Sequence, residues 1–108
     1  MTVASVATAT QTATIDTEHV LTIQTIAGVY VLVVDMGNLA SGDIVILRIK
    51  TKYASGGTSR LAYICEFAGV QTEPLKYSVP VPVDTEIICT LEQTDGTGRN
   101  FPWNILMM

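Results

Sequence analysis

The stretch that decides the fold is residues 43–68, DIVILRIKTKYASGGTSRLAYICEFA. Apolar and polar side chains alternate on both sides of the central glycines, which is the period of a β-strand and not of a helix. Gly56 and Gly57 allow the positive φ that a hairpin connection requires. The stretch therefore predicts a β-hairpin made of strands 43–53 and 60–68.

The same alternation, broken by clusters of Gly, Asn, Asp and Ser, continues through the rest of the chain. It predicts further strands at 19–26, 29–36, 75–83, 85–93 and 101–107. The 108 residues are the length of one domain. Thr, Val and Ile make up about a third of them, and these β-branched side chains favour strands. We predict an all-β fold, an antiparallel β-sandwich or jelly roll of about seven to eight strands, over residues 15–108.

Residues 1–14, MTVASVATATQTAT, differ from the rest because they carry no charge and no large side chain. They favour an extended conformation but lack the side chains to build a core. We interpret them as an N-terminal arm that lies on a neighbouring subunit or on a larger shell. On this interpretation, deleting the arm weakens attachment and leaves the thermal unfolding of the domain nearly unchanged.

The alternation also assigns faces to the strands. The predicted core faces are Val45, Leu47, Ile49 and Tyr53; Leu61, Tyr63, Cys65 and Phe67; Ile87, Cys89 and Leu91; and Phe101, Trp103, Ile105 and Met107. The opposite faces should be polar if they met only water. Four isoleucines lie there instead: Ile44, Ile46, Ile64 and Ile88. They indicate either a partner interface or a surface that the chain itself covers, and we favour the interface.

Two further features concern strand edges and pairing. Pro80 and Pro82 remove two N–H donors from the same side of one strand, which predicts an edge strand. That edge is either a guard against aggregation or a subunit contact. In the central hairpin, a connection centred on Gly57 places Arg48 opposite Glu66, and we predict this register because it forms an ion pair.

Charge and hydropathy exclude several partners. Six Lys and Arg stand against ten Asp and Glu, and the net charge is −4. Arg48, Lys50 and Lys52 form the only basic cluster, so no nucleic-acid partner is expected. The longest apolar run, 26–34, is far shorter than the roughly 20 residues of a membrane helix, so no membrane partner is expected.

No residue pattern predicts catalysis or metal binding. Asp16, Glu18 and His19 are close in sequence, but adjacent side chains diverge on an extended chain, so the triplet is a weak metal site. Nothing in the sequence brings Cys65 to His19 as a nucleophile and its base. One bridge between Cys65 and Cys89 remains open, although two buried thiols in a reducing cytoplasm are the favoured interpretation.

The two Gly-rich turns that precede Arg60 and Arg99 superficially suggest phosphate loops. A phosphate loop binds its anion at the start of a helix, whereas strands are predicted after both turns. We interpret both as hairpin turns. The predicted protein is therefore not an enzyme and uses no cofactor or metal.

Several short segments can be compared with known proteins: AGVYVL (27–32), NLASGD (38–43), LRIK (47–50), SGGT (55–58) and QTDGTGRNFPW (93–103). Together they resemble a group of small virion proteins of tailed bacteriophages. The resemblance implies a decoration or cement protein that binds the major capsid protein on the virion surface after synthesis in the host cytoplasm. It also implies a homo-oligomer, with a trimer favoured over a dimer. It carries no catalytic residues.

Two other functions remain open from the sequence. One is a structural component of a phage tail or neck. The other is a carbohydrate-binding β-sandwich, which would need an exposed aromatic platform drawn from Tyr30, Tyr53, Tyr77 or Trp103. An aromatic content of only 6% counts against the second.

Overall fold

A computed structural model describes residues 2–108, which form nine β-strands and no helix within that range. None of the described residues therefore belongs to a helix that could span a bilayer. The strands are β1 (Ala4–Thr12), β2 (Glu18–Gln24), β3 (Gly28–Asp35), β4 (Ile44–Thr51), β5 (Arg60–Ala68), β6 (Leu75–Tyr77), β7 (Val81–Val83), β8 (Ile87–Asp95) and β9 (Asn100–Met107).

The strand order is that of a jelly roll, which confirms the predicted β-sandwich. One sheet has the order β1-β9-β3-β6, with β7 also paired to β3, and the other has the order β2-β8-β4-β5. The antiparallel partners are nested, because β1 pairs with β9, β2 with β8, β3 with β6 and β7, and β4 with β5. The chain thus resembles one long hairpin rolled into two sheets, a known solution for all-β domains.

The core lies between the inner faces of the two sheets and is built from alternate residues of four central strands. Its main members are Tyr30, Leu32 and Val34 on β3; Val45, Leu47 and Ile49 on β4; Ile87, Cys89 and Leu91 on β8; and Phe101, Trp103 and Ile105 on β9. Tyr63, Phe67 and Met107 are partly buried against it. The predicted core faces of β4, β8 and β9 are therefore confirmed, except at the end of β4.

Two residues assigned to the core are exposed, so those assignments are wrong. A β-bulge between Ile49 and Lys50 shifts the pairing by one residue, so that Lys50 lies opposite Leu61. Since side chains alternate between faces, this shift turns Leu61 to the outer face, where it is 50% exposed. Tyr53 lies beyond the end of β4 and is 89% exposed.

The predicted register of the central hairpin is also wrong. Arg48 lies opposite Ile64, two residues from the predicted pairing, and Glu66 lies opposite Ile46. A shift of two residues preserves the faces, so the outward orientation of these side chains is unaffected. The expected ion pair did not determine the register because Arg48 finds a carboxylate on β8 instead, Glu92 at 2.8 Å.

Residues 4–12 of the predicted N-terminal arm instead belong to the chain's own sandwich, and Met1 lies outside the described residues. Residues 4–12 form β1, which pairs with β9 from Met107 to Asn100 and is an edge strand of the five-stranded sheet. Only two small side chains of β1, Val6 and Ala7, pack against the core, because β1 covers its margin, and Ala9 is exposed. The absence of large residues therefore gave a misleading indication.

The predicted strand 75–83 is interrupted, although its position at an edge is correct. β6 and β7 both pair with β3, and the backbone between them leaves the ladder. Ser78 is buried at this point, where its amide donates to the Leu32 carbonyl and its hydroxyl accepts from the Leu32 amide. Pro82 lies on β7 and Pro80 just before it, and both are exposed.

Candidate functional site

The outer face of the four-stranded sheet carries a band of charged and polar side chains with apolar residues on both sides. We call these residues the charged band: Glu18 on β2, Thr90 and Glu92 on β8, and Arg48 and Lys50 on β4. The registers of the three strands place them on one face in a diagonal line. Three strands that are distant in the chain are thereby connected by polar side chains.

The contacts within the charged band are short. The Arg48 Nη1 atom lies 2.8 Å from Glu92 Oε1 and 3.8 Å from Glu18 Oε2. Lys50 Nζ donates to Glu18 Oε2 at 3.2 Å, and Thr90 Oγ1 donates to the same oxygen at 2.6 Å. Two cations thus neutralise two carboxylates. The Thr90 hydroxyl, followed by Lys50 and Arg48, lowers the pKa of Glu18 against the opposing effect of burial.

The apolar residues form two groups that the charged band separates. Val20, Ile23 and Ile88 lie on one side, and Ile44, Ile46, Leu61 and Ile64 lie on the other. All four predicted isoleucines are on this outer face, with Ile64 54% exposed and Ile44, Ile46 and Ile88 half-buried. The structure does not join them into one patch, since Lys50 lies between Ile88 and Leu61. Their role as an interface stays a prediction.

The outer face of the five-stranded sheet is a second apolar surface that the sequence analysis did not single out. Val29, Val31 and Val33 on β3 share it with Leu106 on β9 and with Leu75 and Tyr77 on β6. A shallow groove of about 250 Å³ crosses it, lined in part by Thr8, Val33, Leu75 and Pro102. The sequence feature that could have predicted this surface is the run of valines in β3, which makes the strand apolar on both faces.

A buried carboxylate organises one end of the sandwich. The Asp43 side chain is 1% exposed and accepts hydrogen bonds from the Ala40 amide at 2.9 Å, from the Thr97 amide at 3.3 Å and from Arg99 Nε at 2.8 Å. The hydrogen bond from Arg99 is the largest of the effects that lower the pKa of Asp43. The Gly-rich turn before Arg99 therefore places the Arg99 guanidinium and the Thr97 amide against the Asp43 carboxylate of the same chain.

Acid should weaken the folded state through these two carboxylates. Their pKa values are lowered from 3.8 for Asp43 and 4.5 for Glu18, so their contribution is complete above about pH 4.5 and is lost as the pH falls through the folded values. We expect the free energy of unfolding in urea to be steady near pH 6 and to fall towards about pH 3. A Glu18→Gln variant should show a shallower fall, and an equal slope would contradict this role of Glu18.

The residues considered for metal binding or catalysis do not converge. His19 Nε2 accepts a hydrogen bond from the Thr14 amide at 3.0 Å, and Glu18 belongs to the charged band. Within residues 2–108 there is no group of three or more His, Cys, Asp or Glu side chains that could hold a metal ion. Cys65 and His19 lie on β5 and β2, the opposite edges of one sheet.

The thiols and aromatic rings are also separated from one another. Cys65 and Cys89 are free thiols, and burial raises the pKa of Cys89 to about 12. Tyr30 and Trp103 are buried in the core, whereas Tyr53 and Tyr77 are exposed. Tyr53 follows β4 of one sheet and Tyr77 ends β6 of the other, so the four aromatic residues do not share a platform.

No family model, curated protein or solved structure matches this chain. Its candidate binding surfaces are the outer faces of the two sheets and the open strand edges.

Proposed function

We propose that this chain is a non-enzymatic structural protein of a phage virion, a decoration or cement protein that binds the major capsid protein. In this proposal the docking surface is the outer face of the four-stranded sheet, and the protein acts as a homo-oligomer. The observation that carries the proposal is the pair of apolar groups flanking the charged band. The jelly-roll fold recurs in viral capsid domains, but it also serves lectins and so supports the proposal by analogy only.

The charged band suits a surface that becomes covered on docking. Covering an unpaired charge is costly, whereas Arg48 and Lys50 already contact Glu18 and Glu92. Glu66, opposite Ile46 on the same face, has no salt bridge within residues 2–108, so in this proposal the capsid protein supplies its cation. The apolar residues on either side then supply favourable burial at about 25 cal/mol per Å² of apolar area, less the cost of ordering. Repeating a modest contact around a symmetric shell raises the overall attachment strength through avidity.

Replacing Ile64 by Asp should weaken attachment to the shell by at least about tenfold, because a new unpaired charge would be buried in the contact. The measurement is cosedimentation of the purified protein with shells from which it has been removed. Val79→Asp is the matched control, since Val79 is 54% exposed, as Ile64 is, and lies between β6 and β7 of the five-stranded sheet. Equal binding of the two variants would contradict the docking surface.

The number of copies in purified virions separates the capsid function from a tail or neck function. A shell protein should be present in copies on the order of hundreds, because a closed shell repeats each contact many times, whereas a tail or neck ring needs about a dozen or fewer. Absence from the particle would overturn the virion proposal altogether.

The carbohydrate-binding alternative has less support because its aromatic residues are dispersed between the core and two sheets.

A further inference from the structure

We propose that two copies of this chain associate through the free edge of β1, forming one continuous antiparallel sheet about a twofold axis. The proposal goes beyond the docking surface above, because β1 belongs to the five-stranded sheet and not to the four-stranded one. It concerns self-association and not attachment to a shell. A twofold pair is also a different arrangement from the trimer that the phage resemblance favours.

The edge is open because β1 pairs on one side only. Among residues 2–108, β9 is the sole strand hydrogen-bonded to it. The Ala13 amide donates to the Arg99 carbonyl, and the register pairs Gln11 with Phe101 and Ala9 with Trp103. Since backbone groups alternate in direction along a strand, the odd-numbered residues of this part of β1 bond to β9.

The even-numbered residues of β1 therefore direct their N–H and C=O groups away from the sheet. These residues are Thr8, Thr10 and Thr12, and all three are exposed. Two groups at the end of this edge already have partners. The Thr14 amide donates to His19 Nε2, and the Gln11 side-chain amide donates to the Thr12 carbonyl. Thr8 and Thr10 keep both of their backbone groups available for another strand.

The other edge strands carry charges or prolines, or are very short, all of which discourage strand pairing, whereas β1 carries only a β-bulge between Ser5 and Ala7, outside the Thr8–Thr10 stretch. β2 begins with Glu18 and His19, and β5 begins with Arg60 and contains Glu66. β6 and β7 are only three residues long, and Pro74, Pro80 and Pro82 lie in or beside them. By contrast, residues 1–14 contain no charged residue and no proline, and β1 is nine residues long.

A second copy of the same strand is the occupant that fits this edge. A twofold axis at Ala9 places Thr8 opposite Thr10 and Ala9 opposite Ala9, and no charged residue is present to cause repulsion. With the axis at Ala9, Thr8 of one copy bonds to Thr10 of the second copy, which gives four backbone hydrogen bonds from groups that are otherwise free. Ala9 then forms the closely spaced, non-hydrogen-bonded pair, where a small side chain is best accommodated.

Sedimentation tests this pairing with a proline that removes one outward N–H. The wild-type chain should associate in the range of about 1–100 µM, because an edge contact is a small interface. Thr10→Pro should raise the dissociation constant by at least about tenfold while near-ultraviolet circular dichroism shows a folded core. Ala68→Pro is the matched control: it removes an outward N–H from β5, the other long edge, and should leave association unchanged.

A disulfide test keeps the proposal decidable if Thr10→Pro does not fold. Ala9→Cys should form a covalent dimer with oxidised glutathione, since the two Cβ atoms of a closely spaced cross-strand pair lie within disulfide reach. Ala68→Cys, on an edge not expected to pair, should stay monomeric under the same oxidation. A monomeric wild-type chain, a trimer unaffected by Thr10→Pro, or equal cross-linking of the two cysteine variants would overturn the proposal. None of these results depends on shell binding, so the two proposals can fail separately.

Discussion

Replacing Asp43 by Ala is expected to lower the free energy of unfolding by about 3 kcal/mol. The variant loses the hydrogen bonds to the Ala40 and Thr97 amides and to the Arg99 guanidinium, and it leaves those donors without their acceptor. The value lies at the low end for a broken buried ion pair because the Arg99 side chain is one-third exposed and keeps contact with water. Urea unfolding at neutral pH measures the change.

Asp95→Ala is the matched control for this prediction. Asp95 is an exposed carboxylate at the end of β8, in the same turn region. Its removal should change the free energy of unfolding by about 0.5 kcal/mol or less, as for ordinary surface substitutions. Similar effects from the two variants would mean that net charge, and not the buried contacts of Asp43, determines stability at this end of the sandwich.

Gly96→Ala should destabilise the fold for two separate reasons. Gly96 has a φ of 89°, in the left-handed region that side chains rarely adopt. A Cβ atom placed there would also overlap the Asp43 carboxylate and come within 2.9 Å of the Asp43 Cα atom. The turn cannot yield without breaking the bonds to Asp43, so we expect a loss of about 3 kcal/mol or more.

Gly42→Ala isolates the conformational part of that effect. Gly42 has the same φ of 89°, but nothing lies within 4 Å of the position its Cβ would take. Its substitution should therefore cost only about 1 kcal/mol, the expense of a left-handed side chain. The prediction fails if thermal or urea unfolding shows the two glycine variants to be equally destabilised.

The alternation of apolar and polar residues predicted most of the architecture, because this alternation reflects which side chains of each strand are buried. The alternation in residues 44–51 and 87–95 assigned the buried faces of β4 and β8 correctly, including Leu47 and Leu91. It failed where pairing departs from regular geometry. The bulge after Ile49 turned Leu61 outward, and a bulge depends on both strands of a ladder.

The candidate surfaces were predictable in part. Alternation placed Ile64 and the other outward isoleucines on one face, as the structure has them. It could not predict the charged band that divides them, since Glu18 meets Arg48 only after β2, β8 and β4 come together. Local pairing preferences are also weak: an opposed charge pair contributes only about 0.2–1 kcal/mol and did not determine the register of Arg48.

By itself, the sequence determined that this chain forms strands with one apolar face each, because a period of two leaves no other way to bury those residues together. Residues 1–14 lack charge and large side chains, and this composition alone did not predict their place in the sandwich. Only the tertiary structure decided that residues 4–12 become β1, since the partner strand β9 lies at the other end of the chain. Pairing between strands so far apart in the chain depends on closure of the whole sandwich, and the residue pattern within one segment does not predict it.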